Sequence, residues 1–161
     1  MRTHALAVSA VVVFTLALAT AAMAADPMVG TWKLNVAKST FRPGQATPKE
    51  QTLVVRALDA DTLELVGTGT RTDGSAMSGR YTWPMSGGVR RYSQGARAEG
   101  VSIVEISIDA QLAYTIALQD GRQLRVTHWV FSKDGKTMAG TTTGVDAKGA
   151  PVNTHSFWET Q

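Results

Sequence analysis

Cysteine is absent from the 161 residues. With it go disulfides, thiol nucleophiles and thiolate metal sites, and any lipid anchor attached through a cysteine. Charge is sparse: 16 Lys and Arg against 13 Asp and Glu make up 18 % of the chain and leave a net +3. That balance is too mild for a nucleic-acid-binding surface, and no such partner is expected. Amphipathic helical patterns are almost missing, so the expected fold class is all-β. No Gly-x-Ser-x-Gly elbow occurs. Ser86-Gly87-Gly88 is too short, and too far from a helix start, to cradle phosphate. Asp59, Asp61, Glu64 and Glu105 make no recognisable acid–base pair.

The one long apolar run lies at the start. Arg2 gives a short basic head, residues 5–22 are rich in Val, Leu and Ala, and Ala22-Met23-Ala24 has the small-x-small pattern of signal-peptidase cleavage. A membrane anchor needs about 20 apolar residues and usually charged flanks on both sides, whereas small Ala and Thr dominate the second half here. Residues 1–24 are therefore expected to form a signal-peptide helix. Residues 25–161 would be one exported domain, periplasmic or secreted, with no integral membrane segment after cleavage. A domain of this size can rest on its core without disulfides.

Beyond residue 25 the punctuation is of one kind. Asp73-Gly74, Asp120-Gly121 and Asp134-Gly135 stand between strand-like runs, and Asp-Gly suits hairpin turns that need positive φ. Asp109-Ala110 and Lys148-Gly149 are further expected turns. The runs between them alternate with period two. Met77, Gly79, Tyr81 and Trp83 share a face. Leu112, Tyr114, Ile116 and Leu118 oppose Ala113, Thr115 and Ala117, and Leu124, Val126, His128 and Val130 oppose Arg125, Thr127, Trp129 and Phe131. In the run from Val101 to Ile108, Val101, Ile103, Glu105 and Ser107 oppose Ser102, Val104, Ile106 and Ile108.

About nine or ten strands result, with one helical turn over 36–39 capped by Asn35. The stretches 41–48 and 84–99 read as irregular. A meander leaves exposed edges, and closing the sheet removes them. The expected architecture is a single antiparallel up-and-down β-barrel. Gly69/Gly144, Gly74/Gly149, Met77/Val152 and Trp83/Trp158 pair at one constant offset, an echo that the shared needs of hairpins explain as well as duplication does.

The first expected strand opens Gly30-Thr31-Trp32-Lys33-Leu34-Asn35-Val36-Ala37-Lys38-Ser39, a G-x-W-K-L-N-x-x-K-S pattern, and Lys133-Asp134-Gly135-Lys136-Thr137-Met138 marks a late hairpin. On these stretches, the first and last quarters of the exported part, the chain resembles lipocalin-like (calycin-type) small secreted β-barrel proteins of bacteria. The resemblance implies an up-and-down barrel whose closed end Trp32 plugs. It also implies that Trp32 packs on an arginine of a late strand, for which Arg125 is the candidate.

The leading functional reading is a barrel that binds a small apolar or amphipathic molecule, lined by Tyr81, Trp83, Tyr114, Ile116 and His128. Aromatic walls with a few polar tips are how such sites are built. A filled interior is the competing arrangement, since about eight strands leave room only for side chains or one small ligand. The second reading is then an envelope or protein-interaction module acting through its surface, with Arg90-Arg91-Tyr92-Ser93-Gln94-Gly95-Ala96-Arg97 as the contact. That basic cluster also reads as a solvated loop or edge strand. The third is a barrel enzyme of isomerase or cyclase type using His128 or His155 with a Tyr or Glu. Two histidines with Glu105 or Glu159 make a metal site only if three ligands converge, and no metal or cofactor is expected.

Overall fold

The local turn chemistry folds the chain back on itself at short intervals. Asp109 accepts the Gln111 amide at 2.7 Å, Asp73 the Ser75 amide at 2.9 Å, and Asp146 the Lys148 and Ala150 amides at 2.8 and 2.9 Å. At Asp120-Gly121 both residues take positive φ, 51° and 78°, the geometry of a two-residue hairpin matched to strand twist. In the other two Asp-Gly pairs only the glycine is left-handed; those loops are longer.

The computed structural model describes residues 26–43, 47–94 and 100–161. The expected signal peptide and Arg97 lie outside the described residues. The elements in order are β1 (Gly30–Leu34), a 3-10 turn (Val36–Lys38), β2 (Pro48–Ala57), β3 (Thr62–Arg71), β4 (Ala76–Pro84), β5 (Gly88–Val89), β6 (Arg91–Gln94), β7 (Val101–Asp109), β8 (Leu112–Gln119), β9 (Arg122–Phe131), β10 (Thr137–Val145) and β11 (Pro151–Thr160). Asn35 caps the 3-10 turn as expected, accepting the Lys38 amide at 3.0 Å.

Sheet neighbours follow the chain from β7 through β11, then β1 through β4, with β11 against β1. The stretch expected to be irregular, 84–99, contains the segment that closes the wall. Val89 pairs with Val104 of β7, and Arg91 and Tyr92 pair with Thr82 and Tyr81 of β4. β5 and β6 thus act as one strand, broken at Arg90, that passes from one edge to the other. The result is an all-β, nearly closed antiparallel barrel of ten walls.

One end is packed solid. Trp32, Leu34, Leu63, Trp83, Phe131, Met138 and Trp158 are buried in one cluster. Trp32 meets Phe131 edge-on with ring centroids 6.4 Å apart, and its Nε1 donates to the Met28 carbonyl at 2.8 Å. The arginine contact implied by the resemblance is not made. Arg125 sits six residues before Phe131 on β9, about 20 Å away along the strand at about 3.3 Å per residue. The sequence echo also has a location: Trp83 and Trp158 both end hairpins at this packed end, and Gly74 and Gly149 turn the same hairpins at the other.

Strand parity holds for β4 and inverts for β8 and β9. Tyr81 and Trp83 face inward beside Leu65 and Leu63. On β8 the inner residues are Ala113, Thr115 and Ala117, the two alanines 4 % and 2 % exposed. On β9 they are Thr127, Trp129 and Phe131, with Arg125 toward the far end. Size decides this. The interior beside β8 is filled by Trp129 and Phe131 of the neighbouring β9, Trp129 level with Ala113, so the short side chains turn in and Leu112, Tyr114, Ile116 and Leu118 turn out.

Candidate interior binding site

Above the packed floor the barrel is hollow. A cavity of ≈ 290 Å³ is bounded by Leu53, Leu65, Tyr81, Ile103, Trp129 and Trp158, with Gln51, Arg90, Thr115, Arg125 and Thr127 as its polar groups. It shares Gln51, Leu53, Leu65 and Tyr81 with a second, more open volume of ≈ 440 Å³ that reaches Arg71, Met77 and Gly79 toward the β3–β4 hairpin. Each is in or near the size range of about 300–1,000 Å³ typical of small-molecule pockets. Gly67 and Gly79 face each other in the wall here, and their missing side chains leave the room.

A polar chain crosses the apolar wall. Trp129 Nε1 donates to Thr115 Oγ1 at 2.9 Å, and Thr115 Oγ1 donates to Glu105 Oε2 at 2.8 Å. The other Glu105 oxygen pairs with Arg90. Arg90 lies over the Tyr81 ring, its guanidinium carbon 4.0 Å from the centroid, and 5.8 Å from that of Trp83. The Glu105 side chain is 3 % exposed and that of Arg90 11 %. Burial pushes the Glu105 carboxyl above its ordinary value, against the lowering effect of the Arg90 charge and the Thr115 hydroxyl. Desolvation outweighs pairing, as it does when two charges leave water. Nearer the mouth, Thr127 and Thr142 share a hydrogen bond of 2.8 Å.

The sequence-derived lining set divides in two. Tyr81 borders the cavity, and Trp83 stands behind it, ring centroids 5.7 Å apart, within the packed floor. Tyr114, Ile116 and His128 are on the outer wall, so the expectation that they point inward is corrected. Tyr114 and His128 stack on each other there at 5.1 Å. His155 is also outside, 3.2 Å from Thr141 Oγ1. Neither histidine converges with the interior Glu105, and the enzyme reading loses its two imidazoles. The basic cluster is divided as well: Arg90 turns into the barrel while Arg91 stays exposed.

The sequence singles out Arg90 as a surface contact and Glu105 as a possible partner of the histidines, not as an interior pair, and gives Thr115 and Trp129 no site role. The one signal available was Glu105 sharing a face with Val101 and Ile103, an acid on an otherwise apolar stripe that calls for a buried cation. Glu64 is different. It is buried on the outer wall, where Arg56 at 2.7 Å and Arg80 at 3.4 Å clamp it across three strands.

No family model and no curated protein matches the chain. Its fold is similar to that of solved β-barrels. The fluorescent protein UnaG, as an N57A mutant, superposes with a TM-score of 0.59 at 16 % identity, over 84 % of this chain and 97 % of that one. Wild-type UnaG gives 0.58 at the same identity, over 84 % and 98 %. The shared property is the barrel.

Proposed function

We propose that this protein is an exported, calycin-type carrier that takes one small amphipathic molecule into its barrel. The observation that carries the reading is the hollow above the Trp32 floor, with apolar walls and a few convergent polar groups. Leu53, Leu65, Tyr81 and Ile103 supply contact for an apolar body, worth about 25 cal/mol per Å² removed from water. Gln51, Thr127 and Arg125 offer donors toward the mouth. Arg90 is already paired with Glu105, so an anionic group on the ligand is better served by Arg125. Export rests on residues 1–24, with their basic head, apolar run and small-x-small cleavage pattern.

Native mass spectrometry of protein purified gently from its own envelope tests this, compared with the same sample after denaturing extraction. Extra mass that disappears on denaturation identifies the ligand. An apo mass in both, together with no quenching of tryptophan fluorescence by a panel of amphipathic metabolites, sinks the reading.

A further inference from the structure

The two volumes inside the barrel are lined by three arginines, Arg71, Arg90 and Arg125, and by no carboxylate among the described residues. Two of the three are engaged. Arg90 pairs with Glu105, and Arg71 donates to the Ser75 hydroxyl and the Ala76 carbonyl, each at 3.2 Å. Arg125 has no hydrogen bond or ion pair among the described residues. Its charge is the least of the influences on Asp146, behind the Ala150 and Lys148 amides that hold one Asp146 oxygen at 2.9 and 2.8 Å. The wall is cut back around this arginine. Its cross-strand partners are Ala117 on β8 and Gly144 on β10, and a Cβ on Gly144 would fall 2.6 Å from the Arg125 Cα. The β8–β9 register shifts directly after Ala117, and such bulges re-aim side chains beside sites.

Resting on the carrier reading above, we infer that the cargo is an anionic amphiphile whose carboxylate lies against Arg125 toward the mouth, its apolar body turned to the Trp32 floor. In the empty barrel a half-buried guanidinium has lost part of its hydration without gaining a partner. A carboxylate supplies the missing acceptors, two oxygens matched to the planar fork. Thr127 is the next inward residue on β9, about 6.6 Å deeper, and shares one hydrogen bond with Thr142. Two hydroxyls carry two protons, so one remains to donate into the cavity. Leu53, Leu65, Tyr81 and Ile103 then offer an uncharged wall to the tail. A cationic head would meet Arg125 with no lining acid to balance it, and a neutral head would leave the guanidinium without its counter-charge. The charge therefore selects, and in a cleft of low dielectric it also draws an anion inward.

Isothermal titration calorimetry near neutral pH with decanoate, decanamide and decylammonium, one tail under three charges, tests the inference. Wild-type protein should bind decanoate at least about tenfold more tightly than decanamide, and decylammonium most weakly. Arg125→Met should bind decanoate and decanamide within about twofold of each other. Its urea midpoint should stay at or above that of wild type, because no partner is lost. Arg125→Lys should keep the preference for decanoate. Arg91→Met, which removes an equal charge from the exposed outer wall, should leave that preference unchanged. Equal affinity of wild-type protein for decanoate and decanamide overturns the inference and leaves the carrier reading standing, as does a preference that survives Arg125→Met. Folded wild-type protein that binds none of the three overturns both.

Discussion

The guanidinium of Arg90 stacks on the Tyr81 ring at 4.0 Å and pairs with Glu105 inside the barrel. One arginine therefore ties the closing strand to β4 through an aromatic face and to β7 through a carboxylate. Removing it strands Glu105. Breaking a buried pair by deleting one partner costs about 3–5 kcal/mol, and Arg90→Met should lose that much stability near neutral pH. Urea midpoints measure it. Arg90→Met/Glu105→Leu should recover most of the loss, because apolar replacement of both partners removes the orphaned charge.

The sign of the pH dependence follows from Glu105. Its folded pKa is raised above 4.5 by burial, so its contribution to stability is full below that value and lost as pH rises through the folded pKa. Arg90→Met removes a lowering influence and raises the folded pKa further. The deficit of Arg90→Met against wild type should accordingly be large near neutral pH and shrink toward about pH 4. A deficit that is constant with pH would show that Glu105 does not ionise in the folded protein.

The fold was legible in the chain because hairpins announce themselves locally. Asp120-Gly121, Asp73-Gly74 and Asp134-Gly135 are turns, and Asn35 is a cap, by chemistry confined to a few neighbouring residues. The site was half legible. Alternation on Met77–Trp83 has one apolar face and picked Tyr81 correctly as inward, whereas on Leu112–Leu118 and Gln123–Phe131 both faces hold apolar residues. Which one turns in depends on what fills the barrel across from it. Arg90 and Glu105 lie on different strands, and their pairing rests on a closure across the sheet edges that no local pattern encodes.

Parity makes a direct prediction about the two tyrosines. Tyr81→Ala should weaken binding of an amphipathic ligand at least tenfold, about 1.4 kcal/mol, while Tyr114→Ala on the outer wall should leave it within about twofold. Trp83→Ala removes a side chain only 2 % exposed from the packed floor and should cost about 3–5 kcal/mol of stability. Fluorescence titration with unfolding curves separates the three. Equal loss of binding for Tyr81→Ala and Tyr114→Ala would exclude the interior as the site.

Gly140 tests how tightly the cavity wall is set. It lies on β10 opposite Trp129, and a Cβ there would fall 2.5 Å from the indole Cζ3 and 2.9 Å from Ser156 Oγ. Gly140→Val must displace the ring that donates to Thr115. Overpacking of this kind costs about 1–3 kcal/mol, and the displaced indole should narrow the cavity. The expected outcome is lower stability, shifted tryptophan emission and weaker ligand binding together. Unchanged emission would mean that the ring does not lie against β10.

The turn after β1 is tied to β11 by several groups, with Asn35 serving both the turn and the strand. Asn35 accepts the Lys38 amide at 3.0 Å and donates to Glu159 at 3.1 Å, and Lys38 Nζ reaches the other Glu159 oxygen at 2.8 Å. Those hydrogen bonds, Lys38 first and Asn35 second, hold the Glu159 carboxyl below its ordinary 4.5. Asn35→Ala should cost about 1 kcal/mol at neutral pH, the usual loss for a cap. A lowered folded pKa contributes stability above the unfolded value and loses it as pH falls through the folded one. The Asn35→Ala deficit should therefore narrow on acidification, opposite in mechanism to Arg90→Met: here an ionised carboxylate loses its donors, there a buried one loses its cation. Thermal melts of Asn35→Ala at about pH 7 and about pH 3 decide it, and a deficit that is the same at both would show that Asn35 acts through the Lys38 amide alone.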